Sequence, residues 1–428
     1  MKATSAGRAF SAQDWPATRY IDRAEIEAVA RVLGARSPFR YYGPDLQHET
    51  DQFEVELARY VGSRFCLGVG SGTAGLHVAI AALGIGPGDE VVLPGYFWVS
   101  TVAAIVNNGA VPVLADVDAS LSLDPDDLER KLTPRTKAVI MIHMGGVVGQ
   151  IERIAAICRR RSIALVEDCA QSLGASKAGV NAGRFGDIGV FSFQLNKSCT
   201  AGEGGAIVTN DEGLFQRAVA IHDAGYLRDS KGNPDSSEAG PQLWGLGCRM
   251  NELTAAVLRV QLGRLPALLD EMRFVKAALT EIIRAYPHLD CVAGEDPGGD
   301  PGTLLTLRFG GEDAARGFQQ SLFVSALKAK LAVRTVPLTD YGLHLYYQNS
   351  SLVKKRSICG HHSVWQRVEN EFARDYSYAK GALPVLDSFV SRTLLFATPV
   401  GLSIKEQEDL QFVFRSACDR WIDLQGGR

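Results

Sequence analysis

A lysine and a carboxylate in this sequence stand where they could carry out Schiff-base chemistry. Lys197 follows the apolar run 189–191 and precedes the glycine-rich segment Gly202–Gly205 by five residues, whereas Asp168 comes directly after an apolar run and Glu167. A lysine amine forms Schiff bases with carbonyl compounds, including pyridoxal phosphate, and an acidic residue then pairs with the pyridine nitrogen. We therefore predict that Lys197 and Asp168 hold a pyridoxal ring. Taken singly, they also fit a solvated lysine and a helix-capping aspartate.

A glycine-rich turn supplies a candidate phosphate site. Residues 70–75 read Gly-Ser-Gly-Thr-Ala-Gly between a predicted strand and a predicted helix. Dinucleotide-binding folds carry this pattern too, but there the next strand ends in an acidic residue, and here it ends in Pro94-Gly95. Small residues at a helix N-terminus present free N–H groups and a positive dipole end to a phosphate. We predict that Gly72 and Thr73 contact a phosphate, with the Ser192 hydroxyl as a further donor.

Two further segments are placed to contact the ring. The aromatic run Tyr96–Trp98 follows a predicted strand, so one of its rings could lie flat against the cofactor, with core packing as the alternative. Gln171 comes about one helical turn after Asp168 and could hydrogen-bond the ring hydroxyl.

Composition excludes several other classes of protein. Of the 428 residues, 46% are hydrophobic and 22% charged, as in an ordinary globular protein. With 45 basic and 48 acidic side chains the net charge is −3, so we expect no electrostatic field strong enough to attract nucleic acid or an anionic membrane. The N-terminus has no apolar signal core and no run is long enough to span a bilayer, which predicts a cytoplasmic protein. The scattered cysteines and the pair His361-His362 lack metal-ligand spacing, and we predict no metal.

Short apolar runs alternate with helical or turn segments through the first half of the chain. This alternation predicts a mostly parallel sheet that helices cover on both faces. A long helical stretch follows Asn251, with an interruption expected at Pro266, and the remainder resembles a smaller α+β unit. We predict an arm at 1–22, a large α/β domain at 23–270 and a small C-terminal α+β domain at 271–428.

Several segments together resemble the DegT/StrS-type sugar aminotransferases, which are pyridoxal phosphate enzymes of fold type I. The resemblance runs from about Tyr42 to the C-terminus. The segments that carry it are Ser71–Ala74, Pro94–Val99, Glu167–Gln171, Gly186–Phe193, Lys197 with Gly202–Gly205, and Arg249–Leu253.

The resemblance implies a role for each matching residue. It implies Lys197 as the lysine that forms the Schiff base, Asp168 on the pyridine nitrogen and Trp98 stacked on the ring. The other implied cofactor contacts are Gln171 at the ring hydroxyl, and Gly72, Thr73 and Ser192 at the phosphate. Related dehydratases carry histidine in place of the lysine, so Lys197 favours transamination.

The resemblance also suggests a substrate pocket and a dimer, with one departure from the family pattern. His344 lies where related enzymes place residues of the acceptor pocket, and Tyr41 and Tyr42 could line it too, although structural roles fit them equally well. Family members usually carry asparagine at a position where this chain has Gly247, and supply it to the phosphate across a dimer interface. A homodimer is expected, but this phosphate contact is in doubt.

The implied function is transfer of an amino group from glutamate or glutamine to the carbonyl of a sugar or cyclitol. The cofactor would alternate between its pyridoxal and pyridoxamine phosphate forms, in amino-sugar biosynthesis for a natural product or a surface polysaccharide. One alternative is a pyridoxal phosphate-binding protein of the same fold without turnover. An NAD-dependent oxidoreductase is a weaker alternative, since the residue that would bind the ribose is missing.

Overall fold

The architecture is that of a computed structural model, which describes residues 9–10, 16–237, 240–333, 335–358 and 363–426. Much of the predicted arm at 1–22 lies outside the described residues, as does the pair His361-His362. Among the described residues, no helix is long and apolar enough to cross a membrane.

The helices alternate with strands in the first half of the chain and lengthen in the second half. Their bounds are α1 Arg23–Gly34, α2 Glu49–Val61, α3 Gly72–Ala82, α4 Val99–Asn107, α5 Pro125–Lys131, α6 Ile151–Arg161, α7 Glu212–His222, α8 Glu252–Arg284, α9 Glu312–Lys328, α10 Ser350–Val353, α11 Pro384–Val390 and α12 Ile404–Gly426.

The strands are mostly short. Their bounds are β1 Ala9–Phe10, β2 Phe65–Val69, β3 Glu90–Pro94, β4 Val111–Ala115, β5 Thr136–Ile142, β6 Ala164–Asp168, β7 Ser176–Lys177, β8 Val180–Asn181, β9 Ile188–Ser192, β10 Gly205–Thr209, β11 Asp290–Val292, β12 Leu304–Arg308, β13 Ala332–Val333, β14 Val336–Pro337 and β15 Thr393–Ala397.

The central sheet has seven strands in the order β2-β10-β9-β6-β5-β3-β4. The five strands from β9 to β4 pair in parallel, and β10 runs antiparallel to both of its neighbours. The predicted mostly parallel sheet is thus confirmed. The carboxyl ends of parallel strands meet at one edge of a sheet, which is where ligands bind in open α/β folds.

Both faces of this sheet are buried. Along β3, Val91 and Leu93 pack into a core with α3 and α4, whereas Val92 packs on the opposite face with α2 and α6. Alternate side chains of a strand point to opposite faces, so a strand that is apolar throughout requires helices on both sides.

Helix α8 runs unbroken for 33 residues, although Pro266 lies inside it. The interruption expected there is wrong. A proline in a helix interior costs about 3 kcal/mol. Neighbouring Leu262, Leu265 and Leu269 are buried in the core that α8 shares with α2 and one face of the central sheet, and their burial offsets that cost.

A second sheet lies along the C-terminal half of α8. It has four antiparallel strands in the order β11-β12-β15-β14, and it packs with α8, α9 and α12 around a separate core. Helix α8 contributes to both cores, so the boundary predicted at 270/271 falls within one continuous helix. The division into domains remains a prediction.

Candidate active site

A cavity of about 1850 Å³ opens at the carboxyl ends of the parallel strands. Each residue that borders it at the sheet edge follows or ends a strand, because that is where the chain leaves the sheet for a helix or loop. The seven side chains or backbone positions predicted to hold a cofactor all line this cavity: Gly72, Thr73, Trp98, Asp168, Gln171, Ser192 and Lys197.

The predicted phosphate end is formed by close contact between α3 and β9. Ser71 caps α3 by accepting a hydrogen bond from the Ala74 N–H, and Ser71, Gly72 and Thr73 at the start of the helix line the cavity. A Cβ at Gly72 would lie 2.8 Å from Ser192 Cβ. Only glycine leaves room there, and the free N–H groups of the helix stand beside the Ser192 hydroxyl.

Asp168 ends β6 and is almost fully buried. The Thr101 hydroxyl donates to its Oδ2 at 2.8 Å, and the Ala170 N–H donates to its Oδ1 at 3.1 Å. Burial raises the pKa of this carboxyl, while these two donors and the more distant charge of Lys197 oppose the rise. Asp168 is therefore a buried carboxylate with little solvent around it, which suits pairing with a cationic ring nitrogen.

Lys197 lies in the loop that joins the antiparallel strands β9 and β10. Two backbone hydrogen bonds hold the base of this loop, from Phe193 N to Gly204 O at 2.9 Å and from Leu195 N to Gly202 O at 3.1 Å. Burial lowers the pKa of the Lys197 amine, and the charge of Asp168 opposes that shift. A lowered pKa leaves more of the amine unprotonated and nucleophilic near neutral pH.

Gln171 has a fixed orientation. Its Oε1 accepts a hydrogen bond from Gly145 N at 3.1 Å, and its side chain also hydrogen-bonds the Tyr341 hydroxyl. The bond to Tyr341 lowers the pKa of that hydroxyl, as a bond donated by the amide nitrogen does, so the second N–H of the Gln171 amide is left as a donor. A donor in this place could hydrogen-bond the oxygen of a ring hydroxyl.

An aromatic cluster of Trp98, Tyr341 and His344 lines the same cavity as Lys197. The His344 ring stacks on Tyr341, with centroids 4.0 Å apart and an interplanar angle of 20°, and lies 4.9 Å from the Trp98 ring. Burial lowers the pKa of His344 to about 4, and the charge of Lys197 adds to the effect. His344 Nδ1 contacts the Tyr341 carbonyl oxygen, which can only accept, so Nδ1 carries the proton and Nε2 is an acceptor.

Tyr41, Tyr42 and Gly247 lie outside the lining of this cavity. The Tyr41 hydroxyl contacts His222 Nε2 at 3.2 Å, and Tyr42 is exposed. Gly247 has a φ of 65°, and a Cβ there would meet nothing within 4 Å. The substrate-binding role of the two tyrosines remains a prediction.

The first turn of α4 contributes two hydroxyls that the sequence analysis missed. Ser100 Oγ lies 2.7 Å from Thr73 Oγ1 and lines the cavity, and Thr101 donates to Asp168. A helix that follows an aromatic run at a strand end brings its first turn to the same sheet edge, and this could have pointed to Ser100. Thr101 lies in an apolar helix, where nothing distinguishes it from a core residue.

The residues around the cavity fit pyridoxal phosphate. Any Cβ at Gly72 would fill the space between α3 and Ser192. Lys197 and the buried Asp168 both line the cavity. The Trp98 ring is 43% exposed, which leaves part of its surface free to stack. These are the groups that hold the phosphate, the carbonyl carbon, the pyridine nitrogen and the face of such a ring.

Curated proteins with similar sequences include inosose aminotransferases and a GDP-perosamine synthase. The L-glutamine:2-deoxy-scyllo-inosose aminotransferase of Streptomyces kanamyceticus is 37% identical over 273 residues, which are 61% of this chain and 63% of that protein. The GDP-perosamine synthase of Vibrio cholerae is 34% identical over 240 residues, covering 55% of this chain and 61% of that protein. The matched region thus spans less than two thirds of these relatives.

Similarity to a solved structure covers nearly the whole chain. The structure of 3-amino-5-hydroxybenzoic acid synthase superposes with a TM-score of 0.76 at 26% identity, covering 96% of this chain and 99% of that one. The family model described as the DegT/DnrJ/EryC1/StrS aminotransferase family matches residues 20–356. This match covers most of the chain and confirms the resemblance carried by the motifs around Lys197. The chain belongs to the DegT/DnrJ/EryC1/StrS aminotransferase family.

Proposed function

We propose that this protein is a pyridoxal phosphate-dependent aminotransferase that moves an amino group from glutamine or glutamate to the carbonyl of a sugar or cyclitol. The observation that carries the proposal is that Lys197 and Asp168 line one cavity and act on each other. The charge of Lys197 lowers the pKa of Asp168, and the charge of Asp168 raises the pKa of Lys197. The similarity to glutamine:inosose aminotransferases supports glutamine as donor and a cyclitol as acceptor, and the similarity to GDP-perosamine synthase supports a sugar acceptor.

Each part of the cofactor has a proposed partner. Asp168 would pair with the pyridine nitrogen, Gln171 with the ring hydroxyl and Trp98 with the ring face. The phosphate would be held by Gly72, Thr73 and Ser192, with Ser100 as an additional hydroxyl. When bound, the pyridinium ring withdraws electrons from the carbon that carries the transferred nitrogen.

Lys197 has two proposed tasks. Its Nζ would hold the carbonyl carbon of the cofactor at rest, and when released from that carbon the same nitrogen would move the proton at the reacting carbon of the substrate. Proton transfer by a positioned group is worth about 10²- to 10⁴-fold in rate. The lowered pKa of Lys197 supports this second task, because a base must be unprotonated to accept a proton.

His344 is the proposed contact for the acceptor. Its Nε2 is a hydrogen-bond acceptor in the cavity, and burial keeps the imidazole neutral at pH 7, since its pKa is lowered to about 4. Such a nitrogen accepts a hydrogen bond from a hydroxyl group, and it repels an oxygen that carries no proton. This preference agrees with an acceptor that carries hydroxyls beside its carbonyl.

We also propose a homodimer and a cytoplasmic location. Trp244 is 95% exposed and Leu246 is 56% exposed on the segment that precedes Gly247, and exposed apolar clusters mark interaction surfaces. Light scattering coupled to size-exclusion chromatography tests the dimer, and cell fractionation tests the location.

Absorption spectroscopy tests the proposed function. The purified protein loaded with pyridoxal phosphate should show a visible band that bleaches on addition of L-glutamine or L-glutamate, and the band should return when a keto-sugar or inosose acceptor follows. Lys197→Ala should fold but neither form the band nor turn over, whereas alanine at the exposed Lys231 should leave both unchanged. A band that no amino donor bleaches would instead indicate a binding protein without turnover, and wild-type turnover in Lys197→Ala would refute the role of the lysine.

A further inference from the structure

Tyr341 brings a hydroxyl to the cavity beside His344. Both residues line the cavity, and their rings stack with centroids 4.0 Å apart and an interplanar angle of 20°. The His344 ring also lies 4.9 Å from the ring of Trp98, the proposed stacking partner of the cofactor. Two polar side chains with touching rings thus border the cavity close to the position proposed for the cofactor.

Backbone hydrogen bonds join this pair to the segment that follows β3. Phe97 N donates to His344 O at 2.9 Å and Tyr346 N donates to Gly95 O at 3.1 Å, so the two segments form a short antiparallel bridge. The His344 ring is fixed further by the contact of its Nδ1 with Tyr341 O. The strand end that carries the proposed stacking ring therefore also sets the positions of Tyr341 and His344.

A directed series of hydrogen bonds reaches the Tyr341 hydroxyl from the second sheet. Thr303, directly before β12, donates through Oγ1 to Gly145 O at 3.0 Å, and Gly145 N donates to Gln171 Oε1 at 3.1 Å. An N–H of the Gln171 amide donates in turn to the Tyr341 oxygen, and this bond opposes the rise that burial causes in the pKa of Tyr341. Since the oxygen of Tyr341 accepts this bond, its own proton is left for a ligand.

Tyr341 and His344 present opposite hydrogen-bonding groups to the cavity. The Tyr341 hydroxyl donates, and it keeps its proton near pH 7 because burial raises its pKa. His344 Nε2 accepts, because Nδ1 holds the ring proton and burial lowers the pKa of the imidazole to about 4. Neither group therefore changes its role near neutral pH.

This arrangement selects among the oxygen groups that a substrate offers. A carbonyl oxygen can only accept and so satisfies Tyr341, whereas a hydroxyl on the next carbon can donate to His344 Nε2. A carboxylate offers only acceptors and would leave Nε2 facing an oxygen without a proton. A ketone without hydroxyls would leave Nε2 without a partner, which weakens binding in a site built for a hydrogen bond. The pair therefore matches a carbonyl with a hydroxyl beside it.

We propose that Tyr341 determines the specificity for the acceptor: its hydroxyl donates to the carbonyl oxygen of the acceptor, while His344 Nε2 accepts from the hydroxyl on the adjacent carbon. The inference rests on the proposed function and adds Tyr341 to the acceptor contact proposed for His344. The amino donor has no hydroxyl beside a carbonyl, so the transfer of its amine to the cofactor should not depend on the Tyr341 hydroxyl.

The test follows the two half-reactions separately in Tyr341→Phe, which keeps the ring and removes the hydroxyl. The protein loaded with pyridoxal phosphate is first bleached with L-glutamine or L-glutamate. The return of the band is then timed with scyllo-inosose, whose carbonyl stands between two hydroxyl-bearing carbons, or with cyclohexanone, which has no hydroxyl. Tyr347→Phe is the matched control, because Tyr347 lies in the same segment and does not line the cavity.

We expect the wild-type protein and the control to react about tenfold faster or more with scyllo-inosose than with cyclohexanone. Tyr341→Phe should react about tenfold more slowly with scyllo-inosose, since it lacks one hydrogen bond to the acceptor, and bleaching by the donor should be unchanged. Equal rates of band return in the wild type and Tyr341→Phe would overturn the inference. So would a wild type that does not distinguish the two ketones, or that is bleached and accepts neither. A band that neither donor bleaches would instead refute the proposed function.

Equilibrium titration of the apoprotein with pyridoxal phosphate gives a second readout that does not depend on turnover. Tyr341→Phe should bind pyridoxal phosphate as tightly as the wild type, because the inference assigns the hydroxyl to the acceptor. A loss of affinity of about tenfold would show that the hydroxyl serves the cofactor or the fold, and would overturn the inference.

Discussion

The Thr101 hydroxyl donates a 2.8 Å hydrogen bond to Asp168 Oδ2, and so ties the first turn of α4 to the end of β6. Both residues are buried, and Trp98 caps the same helix. One helix start therefore positions the proposed stacking ring and orients the proposed partner of the pyridine nitrogen. A change at Thr101 should alter cofactor binding without contact to the cofactor itself.

Thr101→Val tests this link. Valine has nearly the shape of threonine but cannot donate, so burial would raise the pKa of Asp168 further. A hydrogen bond to a charged group contributes about 1.5–3 kcal/mol, and we expect pyridoxal phosphate to bind about tenfold more weakly or worse. Equilibrium titration of the apoprotein measures this loss. Thr101→Ser keeps the donor and should retain most of the affinity, and equal losses in both variants would point to packing instead.

Gly72→Ala tests the phosphate end. The new Cβ would lie 2.8 Å from Ser192 Cβ and force β9 away from α3, so affinity for pyridoxal phosphate should fall more than tenfold. Gly263→Ala is the control, since Gly263 lies in the interior of α8 with nothing within 4 Å of the new Cβ. It should leave affinity unchanged and stabilise the fold by about 0.5–1 kcal/mol. Normal affinity in Gly72→Ala would mean that the phosphate binds elsewhere.

The sequence predicted the sheet and the proposed cofactor residues because both depend on local patterns. Apolar runs between helices indicate parallel strands whatever their order, and side chains that follow such strands meet at one edge. Lys197 and Asp168 could therefore be placed in one site although 29 positions separate them.

The contacts that orient these residues were not predictable in the same way. Thr101 looks like a core residue in the sequence, and its contact with Asp168 arises from the packing of α4 against the end of β6, which local patterns do not determine. The continuity of α8 through Pro266 has the same origin, because tertiary burial decided it.

Gly247→Asn tests the departure from the family pattern. The backbone at Gly247 has a φ of 65°, which asparagine tolerates better than most residues, and open space surrounds the new side chain. The fold should be retained. If the phosphate is shared across a dimer, as the resemblance implies, the added amide should tighten cofactor binding several-fold in the dimer, whereas Gly247→Ala should not. Identical affinities for both variants would show that this segment stands away from the phosphate.

Acid should destabilise the protein through His222, which lies outside the cavity lining. Burial lowers the pKa of His222 from 6.5 to about 3, so between these values the unfolded chain binds a proton that the folded chain does not. The free energy of unfolding should therefore fall as the pH drops below about 6.5, with a slope of about 1.4 kcal/mol per pH unit from this residue. Urea unfolding between pH 6.5 and 5 measures the slope. His222→Gln should reduce the slope by about the contribution of one proton. Replacing the exposed His288 by glutamine should leave the slope unchanged. An equal slope in the wild type and in His222→Gln would show that His222 is protonated in the folded protein.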